Sequence, residues 1–254
     1  MNGRLDVVGL GPGGPGQVTG EAQAAIAAAS DLFGYAPYLA RLALAPGQVA
    51  HASDNREELA RARAALALAA GGRRVAVVSG GDPGVFAMAA AVCEAIEAGP
   101  AAWRRLELAV VPGVTAMLAV AARCGAPLGH DFCALSLSDN LKPWGTVEAR
   151  LRAAAAAGFV IALYNPVSRA RPWQLGRAFE LLRETLPPET AVVFGRAAGR
   201  PDERIVVATL AEAGPAMADM ATCVIVGSAA TRTVGREGLP PLVYTPRFAA
   251  SPAR

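Results

Sequence analysis

The chain has 254 residues, of which 53% are hydrophobic and 18% are charged, and its formal net charge at pH 7 is +3. This length predicts one large or two smaller domains, and the apolar content is sufficient for a sizeable core. The sequence contains no apolar run of about 18 residues, which argues against a membrane-spanning helix, and its first residues do not resemble a signal peptide. We therefore expect a cytoplasmic protein with no membrane partner.

The charged and metal-binding residues argue against two further function classes. Nearly all cations are arginines, and they form no concentrated basic run, so we expect no nucleic-acid partner. The four cysteines are widely spaced without a CxxC pair, and the only histidines are His51 and His130. This inventory predicts no metal site and free, mostly buried thiols. Scattered arginines suit a ligand that carries several carboxylates.

The first half of the chain alternates predicted strands with predicted helices. Strands are expected near residues 4–9, 31–35, 48–51, 75–79 and 107–111. Helices are expected after Thr19, from Asp54 to Gly71 and near 85–98. Glu57 follows Asp54 at the spacing of a capping box. The alternation predicts a mainly parallel sheet with helices on its faces.

The second half repeats this alternation with one difference. Strands are expected near 132–137, 159–164, 191–196, 204–209 and 222–227. Helices are expected near 115–124, near 147–157 beginning at Thr146, and near 173–185. A hairpin between the third and fourth of these strands would make the sheet mixed. The proline-rich segment from about Arg236 is expected to lie on the surface.

Three loops rich in glycine and proline each follow an apolar strand: Gly9–Gly13, Gly80–Gly84 and Pro112–Ala116. Glycine lets the main chain approach a ligand closely and adopt a positive φ. In open α/β sheets, ligands bind beyond the carboxyl ends of the strands. The three loops therefore predict one cofactor pocket built largely from main chain.

The first loop also satisfies the G-x-G-x-x-G pattern of dinucleotide folds through Gly9, Gly11 and Gly14. In those folds a helix begins directly at the glycines. Here Pro12 and Pro15 interrupt, and no Gly-Lys-Ser/Thr sequence follows as in a P-loop. The pattern thus disfavours a nicotinamide or flavin dinucleotide and leaves a purely structural turn as the other alternative.

Polar segments follow four predicted strands of the second half. They are Ser136–Asn140, Asn165–Arg171, Arg196–Arg200 and Ser228–Arg232. One such segment is compatible with an ordinary turn. Four of them predict a ligand site that faces the glycine loops across a cleft between two domains.

Taken together, the three glycine loops resemble those of the tetrapyrrole methylases, the class III S-adenosylmethionine-dependent methyltransferases, over nearly the whole chain. The resemblance implies an α/β protein of two domains, each with a roughly five-stranded sheet flanked by helices, and an active site in the cleft between them. It implies an amino-terminal domain over 1–114, a second domain over 115–245 and a tail over 246–254. It also implies a homodimer.

The resemblance implies S-adenosylmethionine as methyl donor and S-adenosylhomocysteine as its product. Ten residues occupy the positions that would hold it: Leu10, Pro12, Gly80, Gly81, Asp82, Val85, Thr115, Ala116, Asn165 and Ala197. For the Asp82 side chain, an Asx turn before Pro83 is the alternative.

A narrower resemblance concerns the substrate. It rests on Phe33-Gly34-Tyr35-x-x-Tyr38, Ser136-Leu137-Ser138-Asp139 with Pro143-Trp144, Tyr164-Asn165-Pro166-x-Ser168-x-x-Arg171, and Thr231-Arg232. These segments are similar to those of the family members that methylate carbon C17 of precorrin-3B, with ring contraction, in cobalamin biosynthesis. The chain departs from that pattern at Asn140, where leucine is common, and at Ser228–Ala230, which replaces an Asn-Ser step.

Methyl transfer from a sulfonium needs positioning more than nucleophilic side chains, but ring contraction requires proton movement from a hydroxyl. Asp139 and His130 are the candidate acid or base residues, although His130 precedes its strand and Asp139 is also suited to capping the following turn. The candidates for binding the substrate are Ser136, Ser138, Arg171, Arg196 and Arg232.

Several alternatives stay open. Another precorrin position or a cobalt-loaded intermediate would give a related enzyme of the same family. An RNA methyltransferase of the same class would require a basic rim and salt-sensitive binding. A binding module would retain cofactor or tetrapyrrole affinity without turnover, and an oxidoreductase would prefer a nicotinamide dinucleotide.

Overall fold

The computed structural model describes residues 3–168 and 170–248, and the chain divides into two compact units, Met1–Thr115 and Ala116–Arg254. The strands of the first unit are β1 (Arg4–Gly9), β2 (Asp31–Tyr35), β3 (Val49–Ser53), β4 (Arg74–Ser79) and β5 (Glu107–Val111). Its helices are α1 (Gly20–Ala28), α2 (Ala36–Leu39), α3 (Glu58–Ala70) and α4 (Met88–Ala98).

The first unit contains a five-stranded sheet in the order β3-β2-β4-β1-β5. Every pairing in it is parallel, as the alternation of strands and helices predicts. Leu5, Val7 and Val8 of β1 are fully buried, because this strand lies between β4 and β5 and is covered on both faces. Since parallel strands end at the same edge, the loops after β1, β4 and β5 leave the sheet side by side.

Two helix starts in this unit differ from the predictions. Glu57 accepts a hydrogen bond from the Asp54 N–H at 2.9 Å, as in a capping box, but regular helix begins only at Glu58. The helix expected near 85 begins at Met88. The preceding Phe86 has a φ of +52°, which no α-helix accommodates, and this conformation delays the helix.

The second unit, in the part of the chain that the structure describes, begins with α5 (Ala116–Cys124). It continues with β6 (Gly125–Ala126), β7 (Phe132–Ser136), α6 (Trp144–Ala156), β8 (Val160–Tyr164), α7 (Gln174–Arg183), β9 (Ala191–Arg196), β10 (Arg204–Thr209), β11 (Thr222–Val226), β12 (Arg232–Arg236) and β13 (Leu239–Tyr244). None of the helices described in either unit is long and apolar enough to cross a bilayer.

The second five-stranded sheet has the order β10-β9-β11-β8-β7. Only its β7–β8 pairing is parallel, and β9 and β10 form the expected antiparallel hairpin, so the prediction of a mixed sheet is confirmed. One face of this sheet packs against α6 and α7, and the rings of Phe179 and Phe194 meet edge to face there at 6.0 Å. The expected fold of two five-stranded sheets flanked by helices is therefore present.

The segment after Arg236 lies largely on the surface as predicted, but part of it is a strand rather than an irregular tail. Residues 239–244 form β13, which pairs with β12 and with β6. Val243 and Thr245 are buried, and the Thr245 hydroxyl donates to the Pro127 carbonyl at 2.6 Å. Only the last part of the segment packs inward, because Leu239, Pro240 and Leu242 are exposed. Residues 249–254 of the expected tail lie outside the described residues.

The start of α6 also differs from the prediction. Thr146 was expected to be its N-cap, but the helix begins at Trp144, after Pro143. Pro143 has a φ of −60° and an extended ψ of 143°, a conformation that suits the residue just before a helix. Thr146 lies within the first turn.

A buried carboxylate at the amino end of β2 connects this strand to the middle of β3 and to the residue before β4. Asp31 is only 3% exposed, and its two oxygens lie 2.9 Å from His51 Nε2 and 2.8 Å from Arg73 Nε. The Ser30 hydroxyl donates to it at 2.7 Å. Burial alone raises the pKa of this carboxyl, but the hydrogen bonds from Arg73, His51 and Ser30 outweigh that effect and lower the pKa to about 2.

We expect this cluster to give the protein an acid-sensitive contribution to stability. The pKa of Asp31 in the folded state lies below its ordinary value of 3.8, so the unfolded chain takes up the proton first and stability falls as the pH decreases from about 4 to about 2. Asp31→Asn should lower the free energy of unfolding at pH 7 by about 2 kcal/mol and flatten this acid limb. Urea unfolding followed by circular dichroism at several pH values measures both effects. The exposed Glu94→Gln variant is the control, and equal acid limbs in the Asp31→Asn variant and the wild type would contradict the prediction.

Candidate active site

The first two glycine loops are joined by their main chains. Gly11 and Gly81 form an antiparallel bridge in which each N–H donates to the other residue's carbonyl, at 3.1 and 3.0 Å. The N–H of Leu10 donates to the Ser79 carbonyl at 2.9 Å, extending the contact between β1 and β4 past the sheet. Gly11 and Gly81 both have positive φ values, +63° and +69°, which glycine adopts without strain.

The Asp82 carboxylate connects the second loop to the third. One oxygen accepts the N–H of Gly84 at 2.7 Å, which is the Asx-turn geometry, and the other accepts the N–H of Gly113 at 3.0 Å. The Val85 N–H donates to the Asp82 carbonyl at 3.3 Å. The Asp82 side chain therefore fixes the shape of both loops.

The loops approach so closely that side chains do not fit between them. A Cβ atom on Gly113 would lie 2.3 Å from the Gly81 carbonyl oxygen, and one on Gly9 would lie 2.7 Å from the Gly113 nitrogen. A Cβ on Gly81 would instead meet no atom closer than 3.9 Å, on Thr115 and Val114. The cluster is therefore packed too tightly for a Cβ atom at Gly9 or Gly113, whereas a Cβ at Gly81 would make only ordinary van der Waals contacts.

Sequence reasoning missed one residue of this cluster, Arg41. Its Nη2 donates to the carbonyls of Leu10, Gly11 and Gly13 at 2.9, 3.1 and 2.6 Å. Pro12, between these carbonyls, is half-buried. Nothing in the local sequence indicates the contact, because Arg41 is about 30 residues from the loop and belongs to another element.

In the second unit, two residues predicted to hold the cofactor have unusual backbone conformations. Asn165 has a φ of +52° and Ala197 a φ of +49°, values that residues other than glycine seldom adopt. The Asn165 side chain donates to the Ser136 hydroxyl at 2.9 Å, and the Ala197 N–H donates to the Ala221 carbonyl at 2.9 Å. Such strain concentrates at functional sites.

The start of α5 follows the third glycine loop. Thr115 is buried, and Ala116 is the first residue of the helix. The Tyr164 hydroxyl, at the end of β8, accepts the N–H of Met117 at 3.1 Å. This contact satisfies one of the free N–H groups of the first turn.

A polar cluster lies where β7 and β8 end. These strands are parallel, so the segments that follow Ser136 and Tyr164 leave the sheet at one edge. Asp139 forms an ion pair with Arg171 at 2.9 Å and accepts a hydrogen bond from the buried Gln174 at 3.0 Å. Arg171 also donates to the side chain of Asn140. Ser136, Asp139 and Arg171 are thus brought to one edge as predicted from their positions after strands.

Lys142 completes this cluster and was not among the predicted site residues. Its ammonium donates to the Ser138 carbonyl at 3.0 Å. Burial and the nearby Arg150 lower the pKa of Lys142, and Asp139 opposes them. It is the only lysine of the chain, and it supplies a cation next to Asp139.

Arg232 and His130 do not join these residues. Strand β11 runs antiparallel to both β8 and β9, so the segment Ser228–Arg232 leaves the sheet at the opposite edge. His130 precedes β7 at that same opposite edge, where its Nδ1 accepts the N–H of Asp131 at 2.7 Å. The prediction that all four polar segments lie along one cleft is therefore wrong for Ser228–Arg232. This segment follows β11, which runs in the direction opposite to β8 and β9.

Arg196 ends β9 at the same edge as Ser136 but on the other face of its sheet. Gly195 packs against Val120 of α5, so its neighbour Arg196 points away from that helix. Hydrogen bonds to Asp202 and Asp219, at 2.6 and 2.7 Å, raise the pKa of the guanidinium. Arg196 lines a pocket of about 200 Å³ with Phe194, Arg204, Val206, Ala216 and Met217.

The cysteines are free, and two of them are unreactive at neutral pH. Burial raises the pKa of the Cys124 thiol to about 11 and that of Cys223 to about 12. Within residues 3–168 and 170–248, no group of three or more histidine, cysteine, aspartate or glutamate side chains is arranged to hold a metal ion.

Comparison with known proteins identifies the family. Residues 4–214 match the tetrapyrrole (corrin/porphyrin) methylases. The chain belongs to this family. It is therefore a methyltransferase, and the three interlocked loops are those that the sequence resemblance singled out.

Relatives and solved structures cover almost all of the chain. A precorrin-3B C(17)-methyltransferase of Sinorhizobium sp is 68% identical over 250 residues, which is 98% of each chain. The crystal structure of the methyltransferase CobJ is 55% identical, covers 96% of this chain and 100% of its own, and has a TM-score of 0.92. The uroporphyrin-III C-methyltransferase of Thermus thermophilus, solved with S-adenosylhomocysteine, is 27% identical over 89% of this chain and 98% of its own, with a TM-score of 0.67.

The geometry fits S-adenosylmethionine, the methyl donor of this family. The loops are held together mainly by main-chain amides and carbonyls, and the Asp82 carboxylate among them accepts the N–H groups of Gly84 and Gly113. A sulfonium donor carries its own leaving group and requires no metal ligand or nucleophile. Main-chain loops of fixed shape meet that requirement by positioning alone.

We expect Gly113→Ala to disrupt the loop cluster. The new Cβ atom would lie 2.3 Å from the Gly81 carbonyl, so the third loop must move away from the second. The change should cost about 1–3 kcal/mol of stability and abolish measurable binding of S-adenosylhomocysteine. Urea unfolding and titration calorimetry test both effects. Gly16→Ala, where a Cβ would meet no atom within 4 Å, is the matched control, and similar binding by the two variants would contradict the prediction.

Proposed function

We propose that this protein transfers a methyl group from S-adenosylmethionine to carbon C17 of precorrin-3B, with contraction of the macrocycle to precorrin-4, in cobalamin biosynthesis. The observation that carries the substrate assignment is the 68% identity, over 98% of both chains, to the Sinorhizobium enzyme of that name. The interlocked loops at Gly11, Gly81 and Gly113 support the assignment of the methyl donor.

We assign the cofactor to the residues that the resemblance implies. Bound S-adenosylmethionine supplies an electrophilic methyl group and takes up the electron pair of the broken carbon–sulfur bond. In the amino-terminal domain, 1–114, the residues assigned to it are Leu10, Pro12, Gly80, Gly81, Asp82 and Val85. In the segment 115–245 they are Thr115, Ala116, Asn165 and Ala197. Their part is to orient the donor and to exclude water.

The polar edge of the second sheet supports the substrate assignment. Ser136 and Ser138 offer hydroxyls, and Arg171 and Lys142 offer cations that match the carboxylate arms of a tetrapyrrole. Arg196 and Arg232, which lie elsewhere in the unit, are assigned to further carboxylates of the substrate. Asp139 is assigned as the group that accepts the hydroxyl proton during ring contraction.

We further propose that the protein is a cytoplasmic homodimer. Strand β5 is an edge strand of the first sheet, and its Leu108 and Val110 side chains are 36% and 46% exposed. An edge strand with exposed apolar side chains is suited to association with another chain. Light scattering in solution should give twice the mass of the chain, and a monomeric mass at micromolar concentration would contradict this part of the proposal.

Incubation with S-adenosylmethionine and precorrin-3B tests the reaction. The expected product carries one additional methyl group and shows the absorbance change of ring contraction. Methylation without contraction would support only the family activity, and no reaction with any tetrapyrrole would overturn the proposal.

A parallel incubation with the cobalt-loaded intermediate distinguishes a metal-free from a cobalt-containing substrate. Preferential binding of a nicotinamide dinucleotide or of RNA would indicate one of the other functions.

We expect Asp139→Asn to slow formation of the contracted product by about 100-fold or more, since an amide cannot accept the proton. Its affinity for S-adenosylhomocysteine should not change. His130→Gln should retain nearly full turnover, because His130 lies at the other edge of the sheet.

Arg171→Met separates catalysis by Asp139 from the structural role of its ion pair. If Asp139 acts only by holding Arg171, the Asp139→Asn and Arg171→Met variants should both keep the wild-type pH profile. Loss of the acidic limb in Asp139→Asn alone supports proton transfer. Full activity of Asp139→Asn would remove Asp139 from the mechanism.

A further inference from the structure

We propose that Arg41 is a positioning residue for the methyl donor, acting by holding the first glycine loop in its binding shape. The inference rests on the proposed assignment of that loop to S-adenosylmethionine. Arg41 lies just after α2, and its Nη2 donates to three carbonyls of the loop, those of Leu10, Gly11 and Gly13. One side-chain nitrogen thus connects both sides of Pro12.

The loop needs such a donor because of its sequence. Two prolines, Pro12 and Pro15, contribute no N–H groups, while the carbonyls of Leu10, Gly11 and Gly13 point toward one place. Leu10, Gly11 and Gly13 are buried residues, and buried carbonyls without a donor are costly. The Gly11 carbonyl also accepts the Gly81 N–H at 3.0 Å, so Arg41 matters most for the carbonyls of Leu10 and Gly13. A guanidinium satisfies several carbonyls at once and offsets the repulsion between their dipoles.

The segment that carries Arg41 also contacts the second loop. A Cβ atom on Gly80 would lie 2.7 Å from the ring of Tyr38, so this ring packs directly against the loop. The Tyr38 carbonyl accepts the N–H of Arg41 at 3.1 Å, and Tyr35 meets Tyr38 edge to face at 5.4 Å. Residues 38–41 therefore brace the first loop through Arg41 and the second loop through Tyr38. This gives a physical role to the Tyr35-x-x-Tyr38 motif.

The expected consequence is a loss of affinity rather than of chemistry. A binding site made of main chain has high affinity only if its loop is ordered before the ligand arrives. Without Arg41, part of the binding free energy must be used to order residues 9–14. Arg41→Met should raise the dissociation constant of S-adenosylhomocysteine about tenfold or more and raise KM for the methyl donor, with little change in kcat. Arg41→Lys, which retains a donor, should fall between Arg41→Met and the wild type.

The test combines calorimetry with amide hydrogen exchange on the ligand-free protein. Exchange at residues 9–14 should be faster in Arg41→Met than in the wild type, while exchange in β2 and β3 is unchanged. The control is Arg63→Met, an exposed arginine on α3. If wild type and Arg63→Met bind S-adenosylhomocysteine and Arg41→Met binds equally well, the role of Arg41 is overturned.

Other outcomes are also decisive. A lower Tm with unchanged exchange and affinity would make Arg41 a merely structural residue and overturn the inference. If the wild type itself does not bind S-adenosylhomocysteine, the cofactor assignment of the loop is overturned. Faster exchange at residues 9–14 in Arg41→Met would then still show that Arg41 orders the loop. If Arg41→Met does not fold, Arg41→Lys decides. Weaker affinity than the wild type together with faster exchange at residues 9–14 would support the inference. Wild-type affinity, or an affinity loss without faster exchange, would overturn it.

Discussion

The antiparallel bridge between Gly11 and Gly81 is the contact on which the loop cluster depends. It joins two loops that leave neighbouring parallel strands, and it leaves no room for side chains where the third loop approaches at Gly113. Asp82 then uses both carboxylate oxygens to hold the second and third loops. Because the loops support one another, a ligand meets a surface whose shape is set before it binds.

Local sequence was sufficient for the first sheet and for the position of the loops. A β-branched run that stops at glycine, as at Val8-Gly9 or Val78-Ser79-Gly80, predicts a buried strand and the position at which the chain leaves the sheet. Since every strand of that sheet is parallel, all of its exits lie at one edge. The three glycine loops were therefore correctly grouped without knowledge of any contact between them.

The second sheet shows why the same reasoning fails elsewhere. Whether a strand exit reaches the edge near Ser136 depends on the direction of that strand, and direction is not a local property. The hairpin of β9 and β10 was predictable, but the reversal of β11 moved Arg232 to the far edge. Contacts such as Arg41 with Gly13, or Asp82 with Gly113, join residues about 30 positions apart, and no spacing rule of a helix or strand generates them.

At Ala197 two opposing contributions to stability meet at one position. A positive φ costs a residue with a Cβ about 1–2 kcal/mol, and a glycine would avoid this cost. Ala197 is nevertheless 4% exposed, so its methyl group packs in the interior and its removal would leave a small cavity. Asn165 has the same φ region and is exposed, but its side chain bonds to Ser136 and offsets the strain locally. The two residues thus reach similar backbone conformations by packing in one case and by hydrogen bonding in the other.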